Sequence, residues 1–483
     1  MALRGVVGYV LVVLGGLVLA VLPASSAVAQ DPWIGGLRSS TPGRLAAVAV
    51  VVVGLALAAS AWLELVRYAG RGDRLDVKDR MTLVRQATVF WCLPLLLAPP
   101  MFSQDAWSYA AQGAMTHLGL SPYVWGPSVL NGPIIEAVDP RWLDTPTPYG
   151  PIPLVWGALA AHFTNDPWLL VVAHRLLSVL GLVLLAYAVP RLASWAGRDP
   201  ARASALVVAS PLVLAHGIAG AHNDVAMAGV MALALVVAVE RSWVAGALLA
   251  GLAAAVKVPA GFVGIGIALV SLPILATRTE RVWRLVVVAV LALGTLVLVG
   301  AATGLGVGWV HGLAVPGDVK TPFSITTQLG QLVGLMLEPL HIGVTVDGAV
   351  AVARLLGSVL AVVVAARIAL RAPTGVPAAG VRATALAMLV VLALSLAVHP
   401  WYLLWCLPFL VASHLDRRSD AVLLHLSWFL GLVAPLGSLG GAVTAVILAV
   451  LLIGGVAARQ LLSHRSTSTA PREAVAVVER FTP

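Results

Sequence analysis

The stretch LAAVAVVVVGLALAASA, residues 45–61, carries no charged side chain from end to end. A helix rises about 1.5 Å per residue, so this run alone covers most of a hydrocarbon core about 30 Å thick. Its apolar residues follow one another with neither a period of two nor of 3.6. A helix made from it is therefore hydrophobic all round and belongs in lipid or in a deep core. Inside lipid every backbone N–H and C=O must pair within the segment, which selects a helix over an open strand. The runs Leu285–Ala301 and Ala442–Val456 read the same way. Of the 483 residues 60% are hydrophobic and only 11% charged, with a mean hydropathy of +0.97. A soluble domain carries about 25% charged residues. The chain reads as an all-α polytopic membrane protein; a β-barrel would show short alternating segments instead.

The net charge of +9 does not point to nucleic acid, because the basic residues sit in short connectors between apolar runs. That is the positive-inside pattern, and the bilayer is the partner it implies. Cys92 and Cys406 both fall in apolar helices, which suggests neither a disulfide framework nor a zinc site. Arg4, the apolar run 6–22 and the following ASSAVAQ resemble a cleavable leader. The run exceeds the usual leader core, and we read it as a retained first helix.

Charge asymmetry sets the expected topology. The connector Arg67–Arg85 holds Arg67, Arg71, Arg74, Lys78, Arg80 and Arg85. Further basic connectors are 190–203 (Arg191, Arg198, Arg202), 277–284 (Arg278, Arg281, Arg284), 367–382 (Arg367, Arg371, Arg382) and 414–419 (Arg417, Arg418). The tail adds Arg459, Arg465 and Arg472. Placing these inside leaves 24–43, 101–167, 216–224, the neighbourhood of Lys257, 303–345, 399–402 and 436–440 outside. The expected plan is a single transmembrane domain of about 13–14 helices with both termini cytoplasmic. It has three helices over 1–100, a large extracytoplasmic loop over 101–167, the remaining helices over 168–458 and a cytoplasmic tail over 459–483. The loop is too long for a plain connection and rich in Trp, Tyr and Pro, so it is expected to be ordered. Within it PYGPIPLVWGALAAHF (148–163) places Pro at helix-start positions before about four turns, a short helix suited to the membrane interface.

Ionisable groups at a membrane are costly and usually functional, and here they gather at the outward helix ends. Asp105 lies in FSQDAWSYAAQG (102–113), His222 and Asp224 in AHND (221–224), and Lys257 in VKVPA (256–260). His399, Trp401 and Tyr402 lie in HPWYLLW (399–405). Plainer readings exist for several. Trp125, Trp156, Trp401, Tyr402 and Trp405 suit an aromatic belt, the histidines suit satisfied interface positions, and Lys257 suits snorkelling to headgroups. Asp105 and Asp224 have no cation at helical spacing. A carboxylate at such an edge serves as general base toward a hydroxyl. Cations beside it stabilise a departing phosphate, and aromatic faces pack against sugar rings. No GxGxxG turn and no Walker motif is present, and the inside connectors are too short to fold a nucleotide-sugar domain. The combination points to glycosyl transfer from a lipid-linked phosphosugar.

The motifs FSQDAWSYAAQG (102–113), GLSPYVWGP (119–127), PTPYGPIPL (146–154), HRLLS (174–178), GAHNDVAM (220–227), VKVPA (256–260) and HPWYLLW (399–405) occur in this order. In this the chain resembles the GT-C superfamily, most of all the actinobacterial polyprenol-phosphomannose-dependent α-1,6-mannosyltransferases of lipomannan synthesis. The resemblance implies polyprenyl-phosphate-mannose as donor, a mannan or lipomannan acceptor, inversion at the sugar carbon and an extracytoplasmic site at the plasma membrane. It implies Asp105 as the catalytic base and Arg175 as a phosphate-binding cation. Substrate contacts are expected from Gln104, Trp107, Tyr109, Tyr149, Arg175, His222, Asn223, Asp224, Lys257, His399, Trp401 and Tyr402. The YGP segment resembles the superfamily's juxtamembrane helix. Many relatives carry paired acids where Asp105 stands alone, so catalysis is expected without a metal, and no cofactor is implied. Asp139 and Asp144 precede Pro and Thr-Pro and suit turns. Alternatives are an arabinosyl or glucosyl lipid donor, and a transporter or flippase, whose polar groups would lie at the bilayer midplane.

Overall fold

Six helices among the described residues are long and apolar enough to cross a membrane: Ala2–Leu19, Thr41–Ala69, Pro167–Trp195, Asn223–Glu240, Arg278–Ala302 and Val346–Arg371. They contain the runs 45–61 and 285–301. The computed structural model describes residues 1–72, 76–413 and 417–432. Arg74, the run Ala442–Val456, the turn 436–440 and the tail 459–483 with Arg459, Arg465 and Arg472 lie outside the described residues. No strand occurs among the described residues, and the chain is an all-α polytopic membrane protein. Four shorter apolar helices, Pro151–Ala161, Trp243–Val256, Val258–Val270 and Pro377–Ala393, accompany the six. The expectation of 13–14 helices includes such short ones.

Local sequence sets the helix ends. Ser40 accepts from the Gly43 N–H at the start of the 41–69 helix, and Thr277 with Glu280 forms a reciprocal capping box before the 278–302 helix. These caps satisfy N–H groups that no turn of the helix can reach. The 278–302 and 346–371 helices turn Val290, Leu298, Leu355 and Leu356 outward, each more than half exposed. Apolar surface of that extent is stable only against lipid. On the inner side small residues let backbones meet. A Cβ added to Gly8 would stand 2.6 Å from the Gly54 carbonyl oxygen, and one at Gly54 the same distance from that of Gly8. Close backbone contact of this kind holds helix pairs together where lipid removes the hydrophobic drive.

The basic connectors meet one another. Arg80 pairs with Asp199 at 2.6 Å and donates to the Ala69 carbonyl. Arg198 pairs with Asp420, and Arg281 donates to the carbonyls of Ala276 and Ala372. So connector 67–85 touches 190–203, 190–203 touches the segment holding Asp420, and 277–284 touches 367–382.

One span is broken. Pro200–Val207 and Leu212–Ala219 are bent by 48° around Pro211. The second half is π-helical, and its last carbonyls need partners from elsewhere. Arg175 supplies them: Nε donates to Ile218 O (2.9 Å) and Nη2 to Ala219 O (3.3 Å), while Nη1 reaches Leu96 O (2.8 Å). Met101 N–H also donates to Ala219 O. The chain then turns into the 223–240 helix through Ala221, whose φ is +54°.

The segment 101–167 holds three α-helices, Asp105–His117, Pro140–Leu143 and Pro151–Ala161. The last is the helix expected over 148–163, starting at Pro151. Gly113 and Gly157 let it cross the 105–117 helix with backbones touching, since a Cβ at Gly113 would lie 2.6 Å from Gly157 Cα. Gly150 docks its start on the 243–256 helix: its N–H donates to Val256 O, and a Cβ there would lie 2.2 Å from Ala255 O.

Candidate active site

A cleft opens where three segments expected outside converge. The 105–117 helix contributes Asp105, Ser108, Tyr109 and Gln112, and the stretch 142–149 contributes Trp142, Thr145, Pro146, Pro148 and Tyr149. Val315, Pro316 and Val319 come from 303–345, and Ala397, His399 and Tyr402 from the turn before Trp405. The close crossing at Gly113 and the docking of Gly150 bring these walls together. Asp105, Tyr109, Tyr149, His399 and Tyr402, all expected from the sequence, share this cleft.

Asp105 opens its helix, where the macrodipole favours a carboxylate, and its own N–H donates to Ser103 Oγ at 3.1 Å. Its side chain keeps one-fifth of its surface exposed. His222 Nε2 lies 3.8 Å from Asp105 Oδ2, and His222 Nδ1 lies 2.6 Å from the His216 carbonyl oxygen. A carbonyl only accepts, so Nδ1 carries a proton and Nε2 is the ring atom turned toward the carboxylate. Nε2 has no hydrogen-bond partner. A proton arriving at Asp105 would bring the two groups into a hydrogen bond.

Behind the cleft wall lies a buried pair. Lys257 Nζ donates to Asp224 Oδ1 at 2.9 Å, and Trp405 Nε1 donates to the same oxygen. The Lys257 ammonium lies 4.3, 5.1 and 5.4 Å from the ring centres of Tyr402, Trp405 and Tyr149. Three aromatic faces and one carboxylate replace the water that a buried ammonium loses. Lys257 thus has a partner far from it in sequence and does not snorkel, and Asp224 has the cation that helical spacing did not supply.

Trp401 is sandwiched between His222 (3.9 Å between centres, 26°) and His399 (4.6 Å, 11°), which stitches the 399–405 turn to the AHND segment. His399 is half-buried in the turn, and burial holds its imidazole down at about 4 against the opposing pull of Asp105. Tyr109 and Tyr149 meet hydroxyl to hydroxyl at 3.0 Å, and Tyr123 donates to the Tyr149 carbonyl. Asn223, fully buried at the start of its helix, leaves both side-chain polar atoms without a partner.

Three of the expected residues lie outside the cleft lining and have other partners. Arg175 is fully buried and donates to three carbonyls, bracing the broken span. Trp107 points away from the cleft, donates to Val21 O and packs edge-on against Trp168. Gln104 donates to Ala137 O, which ties the loop to the start of the 105–117 helix. Asp139 and Asp144 take local roles. Asp139 caps its helix and pairs with Arg141; burial pushes its carboxyl up, but the hydrogen bonds from Arg141 outweigh that and hold it below the usual range. Asp144 accepts from Ser128.

Ser108, Gln112 and Thr145 in the cleft, and His216 behind it, are not singled out in the sequence. Ser108 and Gln112 have a legible signal, the i, i+3, i+7 face of a helix beginning at Asp105. His216 has none, and Trp405, expected in an aromatic belt, instead bonds Asp224, because their partners come from distant segments.

Residues 2–273 match a family described as "Alpha-(1->6)-mannopyranosyltransferase, N-terminal domain", and residues 326–464 match the "MptB C-terminal domain". The chain is 33% identical over 461 residues to alpha-(1->6)-mannopyranosyltransferase A of Mycobacterium tuberculosis, covering 90% of this chain and 84% of that relative. It is 29% identical over 437 residues to alpha-(1->6)-mannopyranosyltransferase B of Corynebacterium glutamicum, covering 84% and 71% respectively. With the family match spanning more than half of the chain, this membrane-embedded protein belongs to the alpha-(1->6)-mannopyranosyltransferase family.

Proposed function

We propose that this mannosyltransferase moves a mannosyl unit from polyprenyl-phosphate-mannose to a hydroxyl of an α-1,6-linked mannan or lipomannan acceptor, on the extracytoplasmic face of the plasma membrane. The observation that carries the reading is Asp105, a partly open carboxylate at the mouth of a cleft lined by tyrosines, with His222 Nε2 3.8 Å away. The acceptor oxygen attacks the sugar carbon as its proton passes to Asp105. The bond from that carbon to the phosphate oxygen breaks, and polyprenyl phosphate leaves with the electron pair. A β-linked donor then gives an α product by a single inverting displacement. His222 stabilises the protonated carboxyl by accepting its hydrogen bond. Tyr149 and Tyr402 offer ring faces to the sugar, and the Lys257 charge behind them, partly offset by Asp224, favours the departing phosphate from a distance.

The face assignment rests on charge. The connectors that touch one another at Arg80, Arg198 and Arg281 carry the basic excess, while the cleft is built from the opposite set. We assign the described residues to one transmembrane domain, with 101–167 as its largest outside segment. Catalysis is assigned to the carboxylate without a metal, because Asp105 stands without a second acid beside it.

The test is turnover of purified protein with labelled polyprenyl-phosphate-mannose and an α-1,6-mannan oligosaccharide. Asp105→Asn is expected to lower transfer by about 10²–10⁴-fold, the range for loss of a positioned base, with normal expression and thermal stability. Turnover like that of the parent would reject the base assignment.

A further inference from the structure

The inner face of the 105–117 helix carries more than its acid. Asp105, Ser108, Tyr109 and Gln112 all line the cleft, at the spacing that stacks side chains along one helix face. Gln112 stands seven positions beyond Asp105, a rise of about 10 Å along the helix, so the two lie about two turns apart on the cleft wall.

Gln112 is held in one orientation. Tyr149 N–H donates to Thr147 Oγ1 at 3.3 Å, and the Thr147 hydroxyl donates to Gln112 Oε1 at 2.9 Å. With the amide oxygen taken by the Thr147 proton, the amide nitrogen is left to the cleft that Gln112 lines. Thr147 is fully buried and Gln112 nearly so. One turn earlier, the buried Ser108 hydroxyl has no hydrogen-bond partner. A buried polar atom without a partner is costly, and here it adjoins a cleft that admits a hydroxylated ligand.

We propose that Gln112, locked by Thr147, together with Ser108 forms a hydroxyl-reading subsite for a pyranose ring, and that this subsite sets which sugar the cleft accepts. The amide nitrogen donates two hydrogen bonds to ring hydroxyl oxygens, and Ser108 exchanges one with a neighbouring hydroxyl. A site built around such bonds discriminates strongly, because an epimer with one hydroxyl displaced leaves buried donors unpaired. The ring belongs either to the donor or to the acceptor chain, and the two give different kinetic signatures. The inference rests on the cleft being the active site.

The experiment measures kcat and KM for each substrate separately in the full-length protein, with polyprenyl-phosphate-mannose, its glucosyl epimer and an α-1,6-mannan oligosaccharide. Gln112→Met is expected to raise KM for one substrate by ~10-fold, the scale of two lost hydrogen bonds, with a smaller change in kcat. If the ring is the donor's, donor KM rises and preference for mannose over glucose drops; if the acceptor's, only acceptor KM rises. Thr147→Val should move the same KM in the same direction, and Thr147→Ser should restore it. Gln112→Glu keeps the shape and the Thr147 bond while removing both donors, so it covers a failure of Gln112→Met to fold. Unchanged KM for both substrates in a folded Gln112 variant overturns the subsite. If Asp105→Asn is inactive in the same preparation, the active-site reading survives that result; if Asp105→Asn retains full turnover, that reading itself fails.

Discussion

Asp105 and Asp224 occupy the same local setting, the first turn of a helix that follows a non-helical turn. Their tertiary settings are opposite. Asp224 is fully buried, bonded to Lys257 and to Trp405, and backed by three aromatic rings around the ammonium. Asp105 keeps part of its surface open to the cleft and lies 3.8 Å from His222 Nε2. A carboxylate already bonded to an ammonium and an indole has its oxygen committed; one without such partners keeps its oxygens free for a substrate hydroxyl. The comparison separates an acid that builds the site from an acid available to work in it.

The largest way to break this comparison is to remove one half of the buried pair. Lys257→Met strands the Asp224 carboxylate and should cost about 3–5 kcal/mol of stability, read as a large fall in the thermal midpoint of the detergent-solubilised protein. The double variant Lys257→Met with Asp224→Leu should recover most of that loss, because a buried pair is often replaceable by apolar groups. Asp105→Asn should leave the midpoint in place while abolishing transfer. If the two acids behaved alike in both assays, the distinction between them would fall.

A sharper probe is pH. His399 packs on Trp401 at the cleft edge, and burial holds it near 4, below the ordinary histidine value of about 6.5. The unfolded chain binds this proton more readily than the folded one. The His399 contribution to stability is therefore complete above about pH 6.5 and is lost as pH falls toward 4. In His399→Gln the decline of the thermal midpoint between these values should be shallower than in the parent. An identical decline would place the histidine in water.

The smallest expected effect concerns the turn that delivers His222. Ala221 adopts φ +54°, a left-handed conformation that costs a residue with a Cβ about 1 kcal/mol or more and that glycine adopts freely. Ala221→Gly should raise stability by about 0.5 kcal/mol with transfer unchanged. A loss of transfer in that variant would mean that the alanine methyl itself positions His222.

Much of this was legible in the residues. Apolar runs gave the helices, and Pro151 with Gly150 marked the start of a short helix in the long outer segment. The clustering of Asp105, His222, Asp224, Lys257 and His399 at successive helix ends pointed to one shared site. The partners of Arg175 were not legible, because nothing near it in sequence reveals that Leu96, Ile218 and Ala219 would turn their carbonyls toward it. Trp107 stands close to Asp105 in the motif, but two positions on a helix turn a side chain about 200° round, so it points away from the cleft that Asp105 lines. The place of Gln112 on the Asp105 face was legible, but the bond to Thr147 was not, because Thr147 lies 35 residues away.

The sequence by itself determined the solvent and the secondary structure, because hydropathy and backbone pairing in lipid act along the chain and need no knowledge of neighbours. It also determined which ionisable groups had no local partner. Only the tertiary structure decided their roles, since an acid's work depends on what stands within about 4 Å of it. Lys257 comes to Asp224 from 33 residues away and Trp405 from 181 residues away; Asp105 receives neither.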